Sequence, residues 1–224
     1  MDPGTDWVPS GGKLALDFDG VNDYVNAGDI AVDGLSSISI SGFFRFITRS
    51  SDYGHLIGKN STSSSRFGIG LTGAGTTNNR TNLLVTMGNG SNSFGYTTDN
   101  FVADNVWIHA VYLFDGTQSS NATRLRLFVD GNEKTLTYSG TIPTTSPTNS
   151  ASLVFGAETT SSFFSNSQID DVRIYNRVLT PSEIRLLYTG GRGVGLMPER
   201  IKHRRKTSAA ATNRRRRIIC GANC

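Results

Sequence analysis

The sequence predicts an all-β fold, a two-sheet antiparallel jelly-roll sandwich with one short C-terminal helix and a basic tail. Apolar and polar residues alternate in many short segments, which is the pattern of strands with one buried face. Turn-forming residues separate these segments at regular intervals, as in sandwiches and jelly rolls. Glutamate, a strong helix former, occurs only four times in 224 residues, whereas Gly, Ser, Thr and Asn are abundant.

The strand pattern occurs in ten segments, and we expect about ten to twelve short strands in all. The segments are residues 14–18, 24–27, 37–47, 55–58, 67–71, 83–87, 107–114, 124–129, 152–155 and 169–175. Segment 107–114 is apolar on both faces, which predicts a central strand that is covered on both sides. Asp130-Gly131 follows segment 124–129 and indicates a hairpin turn.

The pattern predicts a single helix, close to the end of the folded region. Thr180 is its expected N-cap, Pro181 occupies the first helical position, and Glu183 completes a capping box. Gly190 is the expected stop.

Charge divides the chain into two parts. Residues 1–196 carry 13 Lys and Arg against 17 Asp and Glu, a net charge of −4, whereas residues 197–224 carry 9 against 1, a net charge of +8. The alkaline isoelectric point therefore describes a tail, which argues against a nucleic-acid binder that is basic throughout. We expect an N-terminal extension over 1–9, one domain over 10–191, and a basic, disordered tail over 192–224.

Neither a membrane span nor an export signal is recognisable in the sequence. There is no run of about 18 apolar residues, and the first residues lack the basic and apolar regions of a secretory signal. The two cysteines, Cys220 and Cys224, both lie in the tail, so we expect the domain to fold without disulfides.

Four motifs in order resemble one known family. They are Phe18-Asp-Gly-Val-Asn-Asp-Tyr-Val25, Trp107-Ile-His-Ala-Val111, Leu125-Arg-Leu-Phe-Val-Asp-Gly131 and Ile169-Asp-Asp-Val-Arg-Ile-Tyr-Asn-Arg-Val-Leu179. In this order and spacing they resemble the laminin-G-like jelly-roll domain of the concanavalin A-like lectin/glucanase superfamily, over about residues 13–189. The resemblance implies a curved two-sheet sandwich that often carries calcium and often binds glycans or proteins.

The resemblance also places two acidic motifs near each other and so suggests a structural calcium ion. The expected ligands are Asp19 and Asp23 in the first motif and Asp170 and Asp171 in the last. Calcium takes six to eight oxygen ligands, which carboxylates and backbone carbonyls provide. The alternative is that Asp19 and Asp23 cap a turn and that Asp171 forms an ion pair with Arg173.

Loops carried by a rigid sandwich are the expected ligand-binding elements. Amide and guanidinium groups match sugar hydroxyls, and aromatic rings stack on sugar faces. The candidate ligand-binding residues are Tyr53, Asn60, Asn79, Arg80, Tyr96 and Phe163. The alternative is an ordinary polar surface.

The sequence argues against catalysis. The Glu-x-Asp-x-Glu strand pattern of the superfamily's glucanases is absent, and no Gly-x-Ser-x-Gly motif occurs. His109 is expected to be a structural histidine of a two-sided strand, and His55 is isolated in sequence. We expect no catalytic residues.

The tail carries two basic clusters that would attract a polyanion. Their residues are Arg204, Arg205, Lys206, Arg214, Arg215, Arg216 and Arg217. The expected function is a non-catalytic recognition module whose partner is a carbohydrate or a glycosylated surface. The alternative is a structural, assembly or adhesion protein, such as a phage or cell-surface component, with a polyanion-binding tail. A glycoside hydrolase is the least favoured of the three functions. The resemblance favours an extracellular, cell-surface or virion-associated location.

Overall fold

Two antiparallel seven-stranded sheets face each other and enclose a single large hydrophobic core. The computed structural model of the chain describes residues 7–10, 13–49, 54–72 and 82–190. Its strands are β1 (Trp7–Ser10), β2 (Lys13–Asp19), β3 (Val25–Asn26), β4 (Ser37–Thr48), β5 (His55–Thr62), β6 (Ser65–Thr72), β7 (Asn82–Asn89), β8 (Phe94–Tyr96), β9 (Trp107–Asp115), β10 (Leu125–Val129), β11 (Asn132–Lys134), β12 (Thr137–Ser139), β13 (Val154–Phe155) and β14 (Asn166–Tyr175). Its helices are α1 (Asn121–Arg124) and α2 (Pro181–Gly190).

The strand order confirms the predicted jelly-roll sandwich. The first sheet runs β1-β2-β14-β4-β9-β10-β11, and the second runs β12-β8-β7-β6-β5-β13-β3. Strands far apart in the chain are neighbours: β14 pairs with both β2 and β4. These long-range pairs tie the start of the domain to its end.

Strand β9 is buried on both faces, as its sequence predicts. Ile108, Ala110, Tyr112 and Phe114 point into the core between the sheets. Val111 and Leu113 on the opposite face pack in a second cluster with Phe128, Leu179 and Ile184, the last of which lies on α2. Helix α2 therefore covers the outer face of the first sheet.

The capping box of α2 is present as predicted. The backbone N–H and the hydroxyl of Thr180 donate to Glu183 Oε2 at 2.8 and 2.9 Å, and the Glu183 N–H donates back to Thr180 Oγ1 at 3.3 Å. The structure adds a one-turn helix, α1, where the strand pattern had included Arg124. The Arg124 guanidinium donates to the carbonyls of Gln118 and Ile142, which holds it in the β9–β10 connection.

Neither helix of the described ranges has the length and apolar character that a membrane-spanning helix needs.

Strand β14 is interrupted by a bulge between Asp170 and Arg173. The predicted strand over 169–175 is present, and Asp171 adopts a φ of +47° at the bulge, so the alternation of side chains is broken at this point. Strand β1 lies largely within the predicted N-terminal extension and pairs with β2. The domain boundaries themselves remain predictions.

A fully buried ammonium group joins β5 to two loops. Lys59 Nζ donates to Asp29 Oδ1 at 2.7 Å and to the backbone carbonyls of Asn149 and Ala151 at 2.8 and 2.7 Å. Asp33 Oδ1 lies 3.3 Å away. A buried charge is tolerated only when it is paired and hydrogen-bonded, and these oxygens meet that requirement.

Candidate functional site

A cavity of about 330 Å³ opens on the outer face of the second sheet. Its lining includes His55, Arg66, Asn92, Phe94, Glu158 and Phe163. The outward positions of β6 between its core residues Phe67, Ile69 and Leu71 are the glycines Gly68 and Gly70. A Cβ on Gly70 would lie 3.0 Å from the ring of His55, so this imidazole lies directly over the glycine.

Arg66, Glu158 and Asn92 form a hydrogen-bonded chain at the base of the cavity. Arg66 Nη1 donates to Glu158 Oε1 at 2.8 Å, and Arg66 Nη2 donates to Asn92 Oδ1 at 2.9 Å. The side chain of Glu158 is 5% exposed, so its carboxylate is largely shielded from water. The guanidinium is thereby fixed in position and its charge is balanced by a buried partner.

His55 is the other buried titratable group of the cavity. Burial, followed by the nearby Arg66 charge, lowers the pKa of His55 to about 3. The imidazole is therefore neutral near pH 7, and its 3.7 Å approach to Glu158 is not an ion pair at that pH. Within the described residues, His55 Nδ1 and Arg66 Nε are buried and have no hydrogen-bond partner. Buried polar atoms of this kind can bind a ligand or water.

Phe163 forms the aromatic rim of the cavity on the β13–β14 loop. Its backbone adopts a φ of +55°, which is uncommon for a bulky residue and requires a loop held in place. The backbone N–H of His55 donates to the Phe163 carbonyl at 3.0 Å, and the backbone N–H of Ser165 donates to the Gly156 carbonyl at 2.8 Å. The Phe163 ring lies 6.2 Å from the imidazole of His55 and is 42% exposed.

Three of the predicted ligand-binding residues lie on this face. Phe163 lines the cavity, Asn60 lies directly opposite Arg66 on the neighbouring strand, and Tyr96 lies directly opposite Leu84, another lining residue. Tyr53, Asn79 and Arg80 lie outside the described residues, as do the basic residues of the tail.

Sequence reasoning missed the residues at the base of the cavity. His55, Arg66 and Glu158 come from two strands and a loop, and only the strand register brings them together. A weak signal exists in β6, where Arg66 is followed by glycine at every second position, Gly68 and Gly70.

The structure separates the predicted calcium ligands into two pairs. Asp19 lies opposite Asn166, so Asp170 is four residues further along β14, which is about 13 Å. Asp19 Oδ1 accepts from the Val21 N–H at 2.7 Å. Asp23 Oδ2 accepts from the Asp19 N–H at 3.2 Å, as in a capped turn.

In the second pair, Asp171 matches the alternative without a metal, an ion pair with Arg173. Asp171 forms two hydrogen bonds of 3.0 Å with Arg173. In the described part of the chain, no group of three or more His, Cys, Asp or Glu could hold a metal ion. The four carboxylates thus do not converge as one site, and calcium binding remains a prediction.

His109 is buried as expected of a structural histidine, although its Nδ1 has no hydrogen-bond partner among the described residues. It is buried under α2, its Nε2 lies 2.9 Å from Ser41 Oγ, and its ring stacks on Tyr188. Burial is the largest influence on its pKa and lowers it to about 4, so His109 too is neutral near pH 7.

Solved structures share this fold at low sequence identity. Domain 4 of AbnA, a GH43 extracellular arabinanase from Geobacillus stearothermophilus, is 18% identical with a TM-score of 0.60, and the match covers 81% of this chain and 80% of that one. The binding domain of Paraclostridial Mosquitocidal Protein 1 is 15% identical with a TM-score of 0.62, covering 85% and 46%. The NanB sialidase from Streptococcus pneumoniae is 14% identical with a TM-score of 0.58, covering 75% of this chain and only 26% of the sialidase.

A search of curated proteins finds no match to this chain. A laminin-G family model, described as concanavalin A-like lectin/glucanases superfamily, matches residues 19–185. That match spans most of the chain and agrees with the two-sheet topology described above. The chain therefore belongs to the laminin-G-like family of the concanavalin A-like lectin/glucanases superfamily.

Proposed function

We propose that this chain is a non-catalytic carbohydrate-recognition module that binds its ligand in the cavity lined by His55, Arg66, Glu158 and Phe163. The observation that carries the proposal is the combination of fixed polar groups at the base with an exposed aromatic ring at the rim. Sugar rings have apolar faces that pack on aromatic side chains and hydroxyl edges that hydrogen-bond to polar groups. The arabinanase domain of the same fold was solved in complex with arabinotriose, which supports the proposal.

The same cavity favours binding over hydrolysis. Glycosidases generally use two carboxyl groups that flank the scissile bond. Among the described residues that line the cavity, Glu158 is the single carboxylate, and Arg66 holds one of its oxygens.

The test is saccharide binding by the full chain and by two variants of the cavity. Phe163→Ala removes the rim ring, and Arg66→Ala removes the guanidinium. We expect each to weaken binding to a glycan selected on an array by about tenfold or more. Trp7→Ala, at another exposed aromatic residue, and Arg126→Ala, in an Arg–Glu pair on the first sheet, are the matched controls.

The control variants are expected to bind like the wild type. Equal binding by wild type, Phe163→Ala and Arg66→Ala would contradict the assignment of the cavity. An array on which the wild type binds no glycan would contradict the carbohydrate function and favour a protein-binding or assembly role.

The tail carries a separate proposal. Its net charge of +8 over residues 197–224 suits an anionic polymer or surface, and such an association weakens as salt rises. We propose an extracellular, cell-surface or virion-associated location on the strength of the family alone.

A further inference from the structure

The charges that line the cavity cancel. Arg66 and Glu158 are the charged side chains of its described lining, and they bind each other at 2.8 Å. His55 adds no charge near neutral pH, because burial keeps its imidazole unprotonated. The remaining described lining residues, among them Thr72, Asn92 and Phe94, are uncharged.

A site of zero net charge discriminates against ionised ligands. A carboxylate or an ammonium group that enters it loses water, and no unbalanced opposite charge compensates for that loss. An uncharged polyol loses only hydrogen bonds to water, and polar atoms of the site can replace these.

The unpartnered atoms of the cavity match hydroxyl groups. Within the described residues, His55 Nδ1 and Arg66 Nε have no partner, although His55 is 2% exposed. Arg66 Nε–H is a donor, and His55 Nδ1 donates or accepts according to its tautomer. Both atoms are buried, so a small side-chain movement must expose them before a sugar hydroxyl can pair with either one. A hydroxyl both donates and accepts, so it suits both atoms whichever tautomer His55 adopts.

We infer that the ligand of this cavity is an uncharged saccharide, one or two sugar units long, and that Glu158 excludes acidic sugars by neutralising Arg66. This inference rests on the proposed carbohydrate function. The volume of about 330 Å³ lies at the small end of ligand pockets, which sets the number of units. The Phe163 ring at the rim covers the apolar face of the sugar.

The experiment compares pairs of sugars of the same size that differ by one acidic group, such as glucose and glucuronate or galactose and galacturonate. Full-length wild type, Arg66→Met and Glu158→Gln are titrated in about 0.5 M NaCl, which suppresses electrostatic binding by the tail. Binding that Arg66→Met abolishes is assigned to the cavity. For that binding, we expect the wild type to prefer the neutral member of a pair by about tenfold or more.

Glu158→Gln keeps the shape of the side chain and releases the charge of Arg66. We expect it to lower the preference for the neutral member by about tenfold. If this variant does not fold, competition of the two glycans for the wild type still gives the preference. Circular dichroism and thermal unfolding establish whether Glu158→Gln and Arg66→Met fold, and only binding lost by a folded Arg66→Met is assigned to the cavity.

Two failures are distinguishable. Arg66-dependent binding by the wild type that prefers the acidic member would overturn the inference and leave the carbohydrate function in place. Absence of any Arg66-dependent glycan binding would refute the proposed function, and the inference with it.

Discussion

The buried ammonium of Lys59 provides the sharpest test of how this sandwich is stabilised. Lys59→Met keeps most of the side-chain volume and removes the charge and its three donors. The carbonyls of Asn149 and Ala151 then lose their partner, at about 1–3 kcal/mol each. The side chain of Asp29 is half exposed and can hydrogen-bond to water in the variant, so Asp29 adds little to the loss of stability. The expected loss is about 3–5 kcal/mol, the range for breaking one side of a buried ion pair.

Urea unfolding, followed by tryptophan fluorescence, measures the free energy of unfolding of wild type and Lys59→Met. Lys134→Met is the matched control, because Lys134 Nζ forms a 2.8 Å pair with Asp99 in which both side chains are partly exposed. That pair should contribute less than about 1 kcal/mol. A loss for Lys59→Met no larger than the loss for Lys134→Met would refute the reasoning.

Three further predictions concern acid, the helix cap and the sheet. The unfolded chain protonates its histidines near pH 6.5, whereas burial lowers the pKa of His55 to about 3 and of His109 to about 4 in the folded chain. At pH values below 6.5, the free energy of unfolding should therefore decrease as the pH is lowered, by up to about 1.4 kcal/mol per pH unit for each histidine. Urea midpoints that do not change with pH would contradict this. Hydrogen bonds from Arg177 and then from Thr180 lower the pKa of Glu183 to about 2. The helix cap should therefore persist as the pH falls and be lost only as the pH approaches 2. An NMR titration that gives Glu183 a pKa near 4.5 would contradict this prediction. Gly68→Ala would place a Cβ against the carbonyl oxygen of Ile57 and should lower the free energy of unfolding by about 1–3 kcal/mol. Gly190→Ala, where no atom of the described residues lies within 4 Å, should be neutral in the same assay.

The sandwich was predictable because strand burial repeats every two residues. The long strands β4, β7 and β9 have their core faces in the predicted segments, and the capping box located α2 through local hydrogen bonds. The short strands β8 and β12 gave no such signal, because three residues are too few to show alternation.

The candidate site was predictable only in part. Phe163 and Tyr96 stood out as aromatic residues in polar surroundings, and both lie on the outer face of the second sheet. His55 and Glu158 are more than a hundred positions apart in the sequence and meet through tertiary packing.

The burial of the Lys59 charge was likewise not predictable from the sequence. A lysine in a strand usually reaches solvent, and only the convergence of the loops that carry Asp29 and Asn149 encloses Lys59. The bulge at Asp170 likewise depends on pairing with β4, which no local pattern announces.

The most direct test of the account is calorimetric titration of the full chain with the best neutral glycan from the array, compared with Phe163→Ala and Arg126→Ala. The account predicts saturable binding by wild type and Arg126→Ala, and a loss of about tenfold or more for Phe163→Ala with the fold intact. Binding that is unchanged in Phe163→Ala, or that Arg126→Ala abolishes instead, would place the ligand elsewhere and contradict the account.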